Sequence, residues 1–130
     1  MEEFYPRTIN RAIIILLPRQ PALDWIMRVE PEQEPQTLAD IRQDCDALMV
    51  SQREVDSVES AQKWVHGNWE MFFDEFLGDW YTDEEVWPEK RTLKMFNQWF
   101  DIHYQSNVWD FADEPIEHDE DDEGDAEGEA

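Results

Sequence analysis

Five consecutive residues, Ile13-Ile14-Ile15-Leu16-Leu17, constrain the fold of this chain more than any other segment. A run opening on three β-branched side chains disfavours a helix, and Pro18 closes it, so the spacing predicts a strand over Ile9 to Leu17. Continuous apolar character, without polar alternation, marks a strand buried on both faces and so central in its sheet. From Ala12 to Leu17 the run is far short of the roughly 20 apolar residues a membrane helix needs. Such a strand must be covered by other elements. The chain has the material to do so, with 41% hydrophobic residues, seven Trp and seven Phe in 130 residues, a length typical of one domain.

The covering elements follow in order. Pro21 suits the first turn of a helix that carries Ala22, Leu23, Trp25, Ile26 and Val29, with Leu23, Ile26 and Trp25 facing inward. Glu30 to Pro35 is a solvated loop, and Thr37 is an N-cap with Asp40 three positions on, which opens a short helical turn. Ala47-Leu48-Met49-Val50 is predicted as a second strand ending in Ser51-Gln52-Arg53. From Ser57 to Trp80 the apolar positions Ala61, Trp64, Val65, Trp69, Phe72, Phe73, Phe76, Leu77 and Trp80 recur every three or four residues, as on an amphipathic helix. Gly67 costs that helix about 1 kcal/mol relative to Ala, and the helix is expected to continue through it. Gly78 and the acidic loop with Pro88 end it. A further helix spans Thr92 to Phe100. The alternation of Phe100, Ile102 and Tyr104 with Asp101, His103 and Gln105 then predicts a last strand, extended through a bulge near Ser106-Asn107 to Val108–Phe111. The expected architecture is α/β, with α+β as the alternative: a two-layer domain over residues 1–112, in the order β-α-β-α-α-β, with helices on a three-stranded mixed sheet.

Charge narrows the function. Against ten basic residues stand 33 acidic ones, a net charge of -23, which repels nucleic acid and anionic lipid and favours basic protein surfaces. Eleven of those acids and none of the bases lie in residues 113–130, leaving 22 acids against 10 bases, a net -12, on the rest. Residues 113–130 cannot bury enough area to offset chain entropy, and are expected to be a disordered acidic tail. A single cysteine, Cys45, permits no internal disulfide, and the first residues lack a basic stretch followed by an apolar one. The expected location is cytoplasmic.

Few residues offer chemistry. Cys45 is flanked by Asp44 and Asp46, whose charges would raise its pKa, so a structural cysteine is favoured over a nucleophile. His66, His103 and His118 are scattered, without zinc-ligand spacing or a catalytic signature around them. The acids at 119–123 lack the alternating ligands and turn glycine of a calcium loop. With four glycines and no phosphate-cradling motif, nucleotide binding has no support. No metal or cofactor is expected. The carboxylate pairs Glu70 with Asp74 and Glu75 with Asp79 fit a solvated helix face better than an acid/base site.

Asn10-Arg11-Ala12-Ile13-Ile14 followed by Pro18, Pro21 and Trp25, together with Trp80-Tyr81-Thr82-Asp83, Trp87-Pro88, Trp99-Phe100-Asp101 and Ser106-Asn107-Val108, resembles a family of small bacterial proteins with no established activity. The likeness spans about residues 9–112 and implies a fold, with no chemistry attached.

The aromatic residues beside acids are the remaining lead. Trp80, Tyr81 and Trp87 flank a loop between helices, where full burial is hard, next to Asp83, Glu84 and Glu85. An amphipathic rim of that kind suits a basic, partly apolar protein surface. The expected function is a non-enzymatic interaction or adaptor module. Two alternatives stand beside it: a nucleic-acid mimic presenting carboxylates of Glu70–Asp79 and Asp83–Glu89 to a DNA-binding protein, and a small enzyme using His66 or His103 with a carboxylate.

Overall fold

The computed structural model describes residues 5–119. Residues 9–108 form one unit, and the two ends of the chain form a second, of which residues 5–8 and 109–119 are described. A short strand β1 (Arg7–Ile9) pairs with β5 (Val108–Asp110) as a two-stranded sheet, so the expected continuation of the last strand through a bulge to Phe111 is not found: the strand before it ends at Gln105 and β5 takes a different partner.

The larger unit is built on the apolar run. Strand β2 (Arg11–Pro18) lies between β3 (Ala47–Ser51) and β4 (Phe100–Gln105) in a three-stranded sheet, order β3-β2-β4, which is the central position expected of it. The α/β class holds. Both ladders are antiparallel, with Ile14 opposite Leu48 on one side and Tyr104 on the other, in place of the mixed sheet that the sequence predicts. The reason lies in the connections. The chain leaves the sheet at Pro18 and re-enters at Ala47 opposite Ile15, so the two helices between them, α1 (Gln20–Val29) and α2 (Leu38–Arg42), lead out and back to the same end. A parallel neighbour needs a single crossover to the far end.

Burial along β2 also departs from expectation. Ala12 and Ile14 are fully buried, whereas Ile13, Ile15 and Leu17, which point to the other face, are half-buried. Helices cover one face only. On the outer face Ile13 is flanked by Met49 and Gln105, and Ile15 by Ala47 and His103, so side chains of the neighbouring strands supply the partial shielding.

The long amphipathic pattern folds as two helices, α3 (Val58–Gly67) and α4 (Trp69–Trp80), separated at Asn68. The expected continuous helix fails there because Asn68 serves two turns at once. Its side-chain amide donates to Trp64 O at 2.9 Å, closing α3, and its carbonyl accepts from Phe72 N–H at 3.2 Å, opening α4. Gly67, just before it, contributes poor helix propensity, and a Cβ there would meet nothing within 4 Å, so close backbone approach is not what selects glycine. Gly78 does not end α4, which runs on to Trp80. Helix α5 (Leu93–Trp99) starts at Thr92, whose hydroxyl accepts from Met95 N–H at 3.1 Å, and Thr37 and Asp40 form the capping box of α2.

The helices bury an aromatic core on the inner face of the sheet. Phe73 of α4 packs edge-on to Trp99 at 5.1 Å and Phe100 at 5.8 Å between ring centroids, and Phe96 lies 4.9 Å from Phe100. Trp25 of α1 joins this cluster through Trp99 at 5.8 Å. Among the described residues no polar or charged side chain is buried. Residues 113–119 are exposed and carry no helix or strand; residues 120–130, the remainder of the expected disordered tail, lie outside the described residues.

Candidate functional site

Helix α4 has more apolar positions than the core uses. Phe73 and Leu77 are fully buried, but Met71, Phe72, Phe76 and Trp80, at helical spacing, line an open cleft on the same side of the sheet. Met71 stays 54% exposed at its lip. Leu16 and Pro18 of β2, Leu48 of β3 and Phe100 of β4, all on the sheet's inner face, contribute its apolar base. Ile41 of α2 and Cys45 of the following loop complete the apolar lining. The cleft encloses about 660 Å³, within the ~300–1,000 Å³ usual for ligand sites.

Four carboxylates converge on it: Asp44 and Asp46 from the loop before β3, and Glu75 and Asp79 from α4. No Lys, Arg or His is among the lining residues. Arg42, the nearest cation along the chain, is not itself in the lining but is engaged beside it: its Nε donates to Pro18 O at 2.8 Å and its Nη2 lies 3.8 Å from Asp101. Partial desolvation raises the Asp79 pKa, and the negative charge of Asp46 raises it further. Cys45 is half-buried, with its thiol 3.9 Å from Ile41 O. Its pKa is also raised. Burial is the leading cause, opposed by Arg42, and the flanking Asp46 and Asp44 contribute less than the burial does. The thiol is thus protonated and a poor nucleophile near neutral pH.

Of the six residues singled out by the sequence, Trp80 alone lines this cleft. Tyr81 caps the end of α4, where its hydroxyl donates to Ile26 O at 2.9 Å and accepts from Gln33 Nε2 at 3.0 Å. Trp87 is half-buried; its indole N–H donates to Tyr81 O at 2.8 Å, and the Arg91 guanidinium lies 5.6 Å from its ring centre. Asp83 accepts from Glu85 N–H at 2.9 Å and so opens the 3₁₀ turn Glu84–Val86, which Trp25 fastens from below through its indole N–H to Val86 O at 2.9 Å. Asp83, Glu84 and Glu85 are exposed on that turn and lie outside the cleft lining.

The structure brings together residues far apart in the sequence. Glu75 and Asp79 are a pair at helical spacing on α4, and Asp44 and Asp46 flank Cys45. Some 30 positions separate the two groups, and only the packing of α4 beside the loop before β3 makes them one rim. Met71 and Phe72 gave a signal in principle, as the apolar surplus on a helix whose other face already filled the core.

The histidines take no part. His66 Nε2 pairs with Asn97 Oδ1 at 3.0 Å, His103 is exposed on the outer face of the sheet, and His118 is exposed beyond β5. Among the described residues none of them reaches a carboxylate, the geometry a histidine-carboxylate enzyme would need. Asp74 is engaged by Arg91 at 2.9 Å. No group of three His, Cys, Asp or Glu side chains among the described residues is arranged to hold a metal ion, and no described helix is long and apolar enough to cross a membrane.

The fold and the cleft thus define a class: a small α/β unit with one helical layer and an acid-rimmed apolar cleft. No family model, curated protein or solved structure matches the chain.

Proposed function

We propose that this chain is a non-enzymatic interaction module that binds a basic partner protein through the cleft and the adjoining Trp80–Trp87 segment. The observation that carries this reading is the cleft itself: an apolar base open to solvent, four carboxylates around it and no cation lining it. Interfaces gain affinity from a desolvated apolar centre, and gain specificity and association rate from charge complementarity around it. Trp80 supplies an aromatic side chain of the kind that anchors such contacts, and the exposed Asp83, Glu84 and Glu85 extend the acidic field beside it. A chain at -23 repels anionic partners over a Debye length, so a cationic partner protein is the complement.

The test is selection of binders from a random peptide library by the full chain, run in parallel with a D46N/D79N variant. Expected is enrichment of peptides bearing Lys or Arg among apolar residues, weakened by salt and lost with the variant. Equal enrichment by the variant, or enrichment of acidic peptides, overturns the proposal.

A further inference from the structure

We infer that the group received by the cleft is a long aliphatic cation, a lysine or arginine flanked by apolar residues on a segment of the partner, with its charged head between Asp46 and Asp79. This rests on the proposed function above and specifies its chemistry.

The walls demand both halves of such a side chain. Leu16, Leu48 and Phe76 present an apolar surface on which methylenes gain burial, and the carboxylates stand at the rim where a head group emerges. Long basic side chains meet those two surfaces at once, laying the stem on apolar atoms and keeping the charge at the wet edge. Trp80, on the same wall as Asp79, adds an aromatic ring suited to a cation. A single basic side chain does not fill about 660 Å³, which leaves room for an apolar neighbour from the same segment.

Other occupants fit less well. Residues 113–130 of this chain carry eleven acids and no Lys or Arg, and a second copy brings a charge of -23; both are repelled by the rim. A neutral apolar ligand would remove more water from Asp79, already partly desolvated and facing Asp46, without neutralising either. A cation relieves both strains. It also links binding to pH: Asp79 must give up its proton to pair, so its pKa falls on binding, and affinity declines as pH drops through the raised pKa of the free protein. The titratable groups facing Asp79 across and along the cleft are Asp44, Cys45, Asp46 and Glu75, with the Arg42 guanidinium beside them, bonded to Pro18 O and acting on Cys45. Of these, the thiol is neutral over the acidic range.

The experiment uses calorimetry on the full chain with a short peptide in which lysines alternate with leucine and phenylalanine. Three comparison probes accompany it: the same peptide with norleucine for lysine, the same peptide with serine for its apolar residues, and n-octylammonium. Carboxyl NMR follows Asp79 with and without peptide. Expected are binding of the first peptide alone, a fall in the Asp79 pKa when it binds, and on the order of tenfold weaker binding by D79N or D46N. D79N should also flatten the acid limb of the affinity profile. Equal binding of the norleucine peptide, or an Asp79 pKa that does not move, overturns the inference. Equal binding of the serine peptide overturns it while leaving a basic partner in place. Equal or tighter binding of octylammonium assigns the cleft to small amines and overturns it too. Failure of every basic peptide removes the proposed function as well.

Discussion

Tyr81 ties three pieces of chain together through one hydroxyl. It donates to Ile26 O at the end of α1, accepts from Gln33 in the loop beyond, and its ring stands edge-on to Trp25 at 5.3 Å. Its backbone carbonyl in turn receives the Trp87 indole. Removing the hydroxyl in Y81F takes away two hydrogen bonds. Ile26 O still accepts from Glu30 N–H and Gln33 Nε2, so no acceptor is orphaned and the expected loss is about 1 kcal/mol in urea denaturation at neutral pH. The same residue sets a pH dependence. Burial, with the charge of Glu30 adding to it and the Gln33 hydrogen bond opposing it, raises the Tyr81 pKa in the folded chain. The folded state therefore holds the phenolic proton more tightly than the unfolded one. That contribution to stability is complete below the unfolded pKa of about 10 and is lost as pH rises through the folded value. Over that alkaline window the wild type should lose stability more steeply than Y81F, and parallel curves would show that Tyr81 is not the group responsible.

At the scale of elements, periodicity located nearly every helix and strand, because each has an apolar stripe and a local start signal: Thr37 with Asp40, Pro21 and Thr92 at N-termini, Pro18 at a strand end. Besides the β1–β5 pairing, three features of the larger unit were not legible. The outer face of β2 is uncovered, and a run of Ile and Leu looks the same whether one face is packed or two. Strand direction depends on whether the chain returns to the end it left, a property of the α1–α2 connection and not of residues in the strand. The break at Asn68 interrupts an unbroken apolar stripe, since a single residue that closes one helix and opens the next leaves no mark on the period. The break makes a prediction about Gly67. Its backbone φ is not left-handed and a Cβ there meets nothing, so G67A adds helix propensity at no steric cost. The variant should gain up to about 1 kcal/mol in thermal or urea unfolding. Because Asn68 holds the break, the gain should come without fusion of α3 and α4, visible as unchanged amide shifts around Trp69. Loss of stability in G67A would mean that the terminus of α3 needs glycine for a reason the packing does not supply.

For the whole molecule, charge was fully legible and its arrangement was not. Counting showed that residues 113–130 hold eleven acids; no count could place Asp44 and Asp46 opposite Glu75 and Asp79, which takes the tertiary packing of α4 against the sheet. The two populations of charge should act differently on a basic partner. Under the proposed function, those at the cleft touch the ligand and so govern how long it stays. The attraction of the C-terminal acids is expected to act on approach, over about 10 Å at 0.1 M salt. Deleting residues 113–130 should therefore slow association of a lysine-rich apolar peptide at low ionic strength and flatten the dependence of that rate on salt. Dissociation should stay unchanged, whereas D79N should speed dissociation and leave association nearly as it was. Stopped-flow measurements of both variants at low and high salt separate these effects. A faster dissociation after the deletion would place the C-terminal acids in direct contact with the bound peptide.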